Sequence, residues 1–325
     1  MNVLSLFDGM SCGMIALDRL GIKVDKYYAS EIDKYAMQVS AANYPEIIQV
    51  GDITKLDLST LPKIDLVMGG SPCQGFSFAG KQLAFDDPRS MLFFEFHKAI
   101  SYLQPKYFLL ENVKMKKEYL DVISEYMGVE PIFINSSLVS AQSRQRYYWT
   151  NILGIEQPEE RGVVLRDILE DGFDTERDKS HCLDANYYKG SSVKNYLKKS
   201  RRQMVFDVRA MTEVRTPEAN QIRYEHKRRT GKDWSPRHMR HLVERPDEKM
   251  NTLTGSLTKQ HILQITKEEN KVYWRKLTCR ECERLQTVPD NYTNHVSNTQ
   301  RYKMLGNGWT IEVIAHILKN MEIEQ

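Results

Sequence analysis

The run Asp65-Leu66-Val67-Met68 ends abruptly in Gly69-Gly70-Ser71-Pro72, and no other stretch constrains the fold as strongly. A short apolar run bounded by such a turn predicts a buried strand. Pro72 fixes φ, and Gly69 and Gly70 remove side-chain bulk, so a ligand can approach the backbone closely there. The turn presents one thiol, Cys73, just past the strand's carboxyl end. In open α/β sheets that edge is where ligands bind. Residues 2–7, 26–30, 47–50, 107–110, 132–135 and 147–150 also read as strands. Residues 14–20, 34–43 and 92–103 have helical spacing between some of them. Strands alternating with helices predict an α/β sheet. Cys73 itself has two readings, a nucleophile or a small buried hydrophobe.

At 325 residues the chain can bury a full core, with room for two domains. No apolar run approaches the roughly 18 residues that a membrane span needs. Residues 1–7 lack a basic region and a cleavage site, so they are expected to form the first strand and not a signal peptide. Five scattered cysteines suit a reducing compartment and free thiols. The formal net charge of +3 decides little, but its distribution is uneven. Residues 166–270 carry 22 Lys and Arg against 17 Asp and Glu, a local excess expected of a polyanion binder.

The first strand leads into Phe7-Asp8-Gly9-Met10-Ser11-Cys12-Gly13, which is not GxGxxG. The dinucleotide fingerprint is therefore missing, while a cofactor without phosphates remains open. Glu31 follows the second strand about 20 residues on, where a carboxylate commonly bonds ribose hydroxyls. Asp52 follows the third strand and can accept from an adenine amino group, with Ile53 against a ring face. Gln74 to Phe85 is Gly-bounded and without period, as expected of a mobile loop. Glu111-Asn112-Val113 ends a later strand. In Gln142-x-Arg144-x-Arg146 the two arginines would share one face of a strand.

Beyond about residue 160 basic and aromatic residues interleave and helical period fades, so short strands and loops are expected. Cys279 and Cys282 form a lone CxxC without a second pair, so no metal is expected. Thr278 and Glu281 have the spacing of a helix capping box. Gly306-Asn307-Gly308 reads as a turn opening a helix over 311–321, able to offer backbone N–H groups to a carboxylate.

Taken in order, Phe7-x-Gly9, Glu31, Asp52, Ser71-Pro72-Cys73-Gln74, Glu111-Asn112-Val113, Gln142-x-Arg144-x-Arg146, Arg280-Glu281-x-x-Arg284-Leu285-Gln286 and Gly306-Asn307 resemble the DNA (cytosine-5) methyltransferase family. The resemblance runs from end to end, apart from the basic region. Two departures, Asp8, Ser11 and Cys12 in the first turn and Gly308-Trp309 near the end, are similar to the animal de novo branch. The chain is too short for that branch's chromatin-reading modules, which favours a free-standing bacterial or phage enzyme.

The resemblance implies an S-adenosylmethionine-dependent methyltransferase sheet, Rossmann-like, over residues 1–164. It implies a smaller, mixed target-recognition domain over 165–272 and a segment, 273–325, that returns to the catalytic domain. It implies Cys73 as the nucleophile on cytosine C6, Glu111 at N3 and the exocyclic amine, Arg146 at O2, and Arg144 supporting the site or a phosphate. S-adenosylmethionine, with S-adenosylhomocysteine as product, would meet Phe7, Asp8, Gly9, Met10, Glu31, Ile32, Asp52, Ile53, Pro72, Leu92, Asn307, Gly308 and Trp309. Double-stranded DNA would meet Gln74, Ser77, Gln142, Lys198, Arg201, Arg228 and Arg237. A monomer in the cytoplasm of a bacterial or phage-infected cell is expected, without membrane or metal, alongside a cognate restriction endonuclease or in phage self-protection. Two alternatives stand beside this reading: a cytosine-5 methyltransferase acting on transfer RNA, and a non-catalytic DNA-binding regulator on the same fold.

Overall fold

A computed structural model describes residues 1–71, 91–170, 173–199, 201–207, 211–236, 239–244 and 274–322. In chain order the first elements are β1 (Asn2–Leu6), α1 (Cys12–Arg19), β2 (Lys26–Ser30), α2 (Lys34–Asn43), β3 (Ile48–Gln49) and β4 (Leu66–Gly69). Then come α3 (Met91–Leu103), β5 (Tyr107–Val113), α4 (Lys117–Met127), β6 (Ile132–Asn135) and β7 (Gln145–Thr150). The middle of the chain forms α5 (Leu165–Ile168), β8 (Phe173–Asp174), α6 (Val193–Lys199), β9 (Met204–Asp207), β10 (Met211–Arg215), α7 (Pro217–Thr230), β11 (Arg240–Glu244) and β12 (Trp274–Lys276). Three helices close it: α8 (Cys279–Leu285), α9 (Asn298–Asn307) and α10 (Ile311–Leu318).

The chain divides into two compact units. The larger comprises Met1–Val164, Lys179–Lys189 and Thr278–Gln325; the smaller comprises Leu165–Asp178 and Gly190–Leu277. The expected recognition domain ran unbroken from 165 to 272, so residues 179–189 fall differently. Hydrogen bonds hold them to the large unit: Ser143 N donates to the Ser180 carbonyl, and Leu183 N to Gln142 Oε1.

The large unit is built on a seven-stranded sheet of order β3-β2-β1-β4-β5-β7-β6. β3, β2, β1, β4 and β5 run parallel, and β7 is antiparallel to both β5 and β6. Every residue of β4 is buried, as a central parallel strand covered on both faces must be. The order reverses at β1 and β4, so the ends of these two strands border the crevice of an open sheet. On one face Leu4, Leu6, Val67, Phe93, Phe96, Leu110, Ile123 and Trp149 pack into one core. β7 matters most for chemistry. Because it runs against β5, its first residues lie beside the last residues of β5, with Val113 opposite Arg146 and Glu111 opposite Tyr148.

One turn differs from expectation. Gly306 and Asn307 do not open a helix; they form the last turn of α9, and Gly308 caps it. α8 does start on the expected capping box, with the Thr278 side chain accepting from Glu281 N and Glu281 accepting from Thr278 N.

The smaller unit contains a three-stranded sheet, β12-β9-β8, and the two-stranded pair β10-β11. Its core is tied by Gln203, whose Nε2 donates to Thr175 Oγ1 (3.1 Å), Tyr196 Oη (2.8 Å) and the Met204 carbonyl (3.0 Å). The Arg275 guanidinium lies 4.0 Å from the Phe173 ring centre. The fourteen-residue α7 was missing from the sequence expectation because, of its residues, only Ala219 is buried, which leaves no apolar stripe to read. Its ends were legible: Thr216 caps Ala219 N, Pro217 follows, and Gly231 closes it in the left-handed conformation.

Gly306 lies against the backbone of Asp184, where an added Cβ would come within 2.3 Å of the carbonyl carbon and oxygen. Gly306→Ala should destabilise the fold by about 1–3 kcal/mol. A lowered urea midpoint at unchanged m-value is the expected readout; an unchanged midpoint would mean that this contact yields freely.

Candidate active site

The site begins where β4 stops. Beyond Gly69, Gly70 and Ser71 lead toward Cys73, which, with Pro72, Gln74 and Ser77, lies outside the described residues. Asn112 at the end of β5 donates from Nδ2 to Ser71 Oγ at 3.2 Å and so holds the start of that turn. Asn112 points to one face of β5 and Glu111 to the other.

Glu111 is 8% exposed. Its Oε1 lies 2.7 Å from Arg146 Nε, an ion pair rather than an aligned hydrogen bond. The antiparallel register makes this pair, because Arg146 is two residues from Tyr148 and therefore on the same face as Glu111. Arg146 also donates from Nη1 to the Gln145 carbonyl (2.8 Å). A carboxylate and a guanidinium side by side at the strand edge can meet a planar amide-like ring at several polar atoms at once.

Arg144 departs from expectation. It precedes β7, and its guanidinium is bonded to backbone carbonyls, not to Glu111. Nη1 donates to the carbonyls of Leu183 (3.1 Å) and Gly306 (3.3 Å), and Nη2 to that of Gly308 (3.0 Å). The Gly306 and Gly308 carbonyls, at the C-terminal end of α9, belong to the negative pole of its dipole, a fitting seat for a buried cation. The expected support of a phosphate is therefore corrected: the guanidinium is occupied by backbone.

Gln142 is likewise corrected. It is fully buried, with Nε2 donating to the Leu285 carbonyl (3.4 Å) and Gln286 Oε1 (3.2 Å), so it presents nothing to DNA. Gln286 in turn donates to the carbonyls of Leu305 (2.6 Å) and Gly308 (3.2 Å) and accepts from Thr310 Oγ1 (2.9 Å). Sequence reasoning had no signal for this scaffold role, since the partners lie more than 140 residues apart in the chain.

A model of the C-5 cytosine-specific DNA methylase family matches residues 1–322. The chain belongs to that family. Among relatives of this methylase is the Type II methyltransferase M1.ScrFI of Lactococcus lactis subsp. cremoris, 31% identical over 302 residues, which cover 92% of this chain and 72% of the relative. The orphan methyltransferase M.SPRI of Bacillus phage SPR is 37% identical over 170 residues, 48% of this chain and 38% of its own length. The fold is that of a solved Entamoeba histolytica methyltransferase, EhMeth, with a TM-score of 0.64 over 98% of this chain and 97% of that one, at 16% identity.

At the ends of β1 to β3 the methylase gathers most of the residues expected to meet a cofactor. Phe7 (φ 56°) and Gly9 (φ 62°) adopt left-handed backbone, bending the chain sharply after β1. Glu31 accepts from Gly9 N (2.7 Å), Ile32 N (2.7 Å) and Asp33 N (2.8 Å), which links the first turn to the end of β2. Ile32 is 76% exposed, Ile53 is buried, and Leu92 is half-buried against the core. Asp52 accepts from Thr54 Oγ1 (2.8 Å) and Thr54 N (3.0 Å), and these bonds hold its carboxyl below the usual range. Asn307 is exposed, Gly308 half-buried and Trp309 buried.

Two expected cofactor contacts turn inward. The Met10 side chain is buried, and its carbonyl accepts from Tyr292 Oη (2.7 Å). The Asp8 carboxyl is also buried, accepting from Ser11 Oγ (2.6 Å) and Tyr27 Oη (2.7 Å). The Cys12 thiol is pushed up to about 12, chiefly by burial, which removes it as a rival nucleophile at neutral pH. Among the described residues no cluster of three or more metal-ligating side chains occurs, and no helix is long and apolar enough to cross a membrane.

Burial pushes the Asp8 carboxyl up to about 6 from an ordinary 3.8, against the hydrogen bonds from Ser11, Ser5 and Tyr27 that pull it down. The folded state thus holds this proton more tightly than the unfolded one. Ionising Asp8 therefore removes stability as pH rises from about 4 to about 6, by roughly 2–3 kcal/mol. Asp8→Asn lacks this loss, so its stability relative to wild type should rise by that amount between pH 4 and pH 7. Denaturant titrations across this range check it; parallel pH profiles for the two proteins would contradict it.

Proposed function

We propose that this methylase transfers a methyl group from S-adenosylmethionine to carbon 5 of cytosine in double-stranded DNA, through a transient bond between Cys73 and C6 of a base rotated out of the helix. The observation that carries the reading is the Glu111–Arg146 pair, at the same sheet edge from which Ser71 leads into the Pro-Cys turn. Carbon 5 is a poor nucleophile. Addition of the Cys73 thiolate to C6 breaks the ring's aromaticity and moves electron density to C5 and toward N3 and O2. Glu111 would bond N3 and the exocyclic amine, while the Arg146 cation would lie at O2. When bound, S-adenosylmethionine supplies an electrophilic methyl group to C5 and leaves as S-adenosylhomocysteine. Loss of the C5 proton to water, with elimination of the Cys73 sulfur from C6, restores the aromatic ring. The base cannot be reached inside a duplex, so it must leave the stack, and residues 74–85 follow Cys73 closely enough to fill the gap.

The residues at the ends of β1 to β3 fit this cofactor. Glu31 and Asp52 are carboxylates at neighbouring strand ends and would repel a pyrophosphate, but they suit ribose hydroxyls, an adenine amine and a sulfonium cation. The exposed Ile32 and the ring of Phe7 offer apolar walls. Asn307, Gly308 and Trp309 would lie toward the methionine end.

In the smaller unit Lys198, Arg201 and Arg228 are exposed. Together with Arg237, which lies outside the described residues, they would track phosphates while a few other side chains read bases. The names of the Type II and orphan phage relatives support a setting in restriction–modification, beside a cognate endonuclease, or in phage self-protection, in either case in a bacterial cytoplasm.

Labelled S-adenosylmethionine should mark duplex DNA, and bisulfite sequencing should then locate 5-methylcytosine in a fixed sequence. Labelling of transfer RNA alone would overturn the reading. Cys73→Ser should abolish turnover with cofactor affinity nearly unchanged, and Glu111→Gln should slow it by roughly 10²-fold or more. Binding to duplex DNA should weaken steeply with salt; a flat response would mean that the basic residues of the smaller unit are only solvated.

A further inference from the structure

Gly70 is where two polar atoms from residues remote in the chain converge. A Cβ placed on it would lie 2.9 Å from Glu111 Oε2 and 2.9 Å from Trp309 Nε1. At most twice that distance separates the carboxylate oxygen from the indole nitrogen, close enough for one shared water to bridge them. The other oxygen of the same carboxylate is the one held by Arg146.

The indole is delivered to this point by a rigid bracket. Gly308, just before it, is held through its carbonyl by Arg144 Nη2 (3.0 Å) and Gln286 Nε2 (3.2 Å). Thr310, just after it, is held through its hydroxyl by Gln286 Oε1 (2.9 Å). Gly308 is packed so tightly that an added Cβ would lie 3.0 Å from Met10 Cε and 3.2 Å from Cys12 Sγ. The residues on both sides are pinned, and the indole, itself buried, lies against Gly70.

We infer that Trp309 is a positioning residue for Glu111: its indole N–H steadies Oε2 through a shared water, as Arg146 steadies Oε1, so that the carboxyl is aimed before the target base arrives. Gly70 has no side chain because one would sit between the two groups. In this arrangement Gln142 and Arg144 act on the chemistry through Trp309, and Arg146 acts on it directly. The inference rests on the reading that Glu111 acts on the base.

A double-mutant cycle separates the two claims. Trp309→Phe keeps an aromatic ring and removes the N–H. It should lower kcat roughly 10-fold, leaving the KM for DNA within about twofold. In a Glu111→Gln background the same change should cost almost nothing, because the group it positions is already impaired. Gly70→Ala should lower kcat in the wild-type background and add little to Glu111→Gln. A Trp309→Phe loss in kcat that is equal in both backgrounds overturns the positioning role. Full activity of Glu111→Gln alone would instead overturn the reading of Glu111, and with it the positioning role of Trp309. Thermal melts of each variant, expected within a few degrees of wild type, exclude a trivial loss of fold.

Discussion

A guanidinium withdrawn from water must be met by acceptors, and Arg144 is met almost entirely by backbone. It is 4% exposed and bonded to carbonyls of Leu183, Gly306 and Gly308. This single cation joins three stretches that are remote in sequence: the approach to β7, the returning segment 179–189, and the C-terminal end of α9. The favourable end of the helix dipole offsets the cost of burying the charge. That junction, together with Gln286, holds the backbone on either side of Trp309 at the end of β4.

The alternating arginines therefore divide their labour. A spacing of two on a strand puts side chains on one face, but Arg144 lies before the strand begins and escapes the rule. Arg146 obeys it and reaches Glu111. Gln142 completes the scaffold by binding Gln286 and Leu183 N, so one short motif serves both the carboxylate and the bracket that frames it.

The same economy appears under the first turn. Asp8, Ser11, Ser40 and Tyr27 form a buried polar chain beneath Phe7 and Gly9, with Ser11 Oγ 2.6 Å from both Asp8 Oδ2 and Ser40 Oγ. Glu31 binds the turn from the other side through Gly9 N. A left-handed Phe7 is tolerated because its neighbours are fixed in this way.

Much of this protein was legible in the residues alone. Apolar runs ending in glycines or carboxylates marked the strands of the parallel sheet, and Thr278 with Glu281 marked a helix start, because hydrophobic period and capping are local signals. The ordered motifs likewise pointed to Glu111 and Arg146. Other features depend on partners distant in sequence. β3 shrank to two residues, α7 had no apolar stripe to betray it, and Gly306-Asn307 closed a helix instead of opening one. Whether Gln142 and Arg144 face a substrate or the protein's own carbonyls is decided by chain returning from more than 140 residues away. Local composition fixes which backbone shapes are favourable. Only the folded packing decides which polar atoms a buried side chain must satisfy, and that choice made one arginine a neighbour of Glu111 and the other a brace.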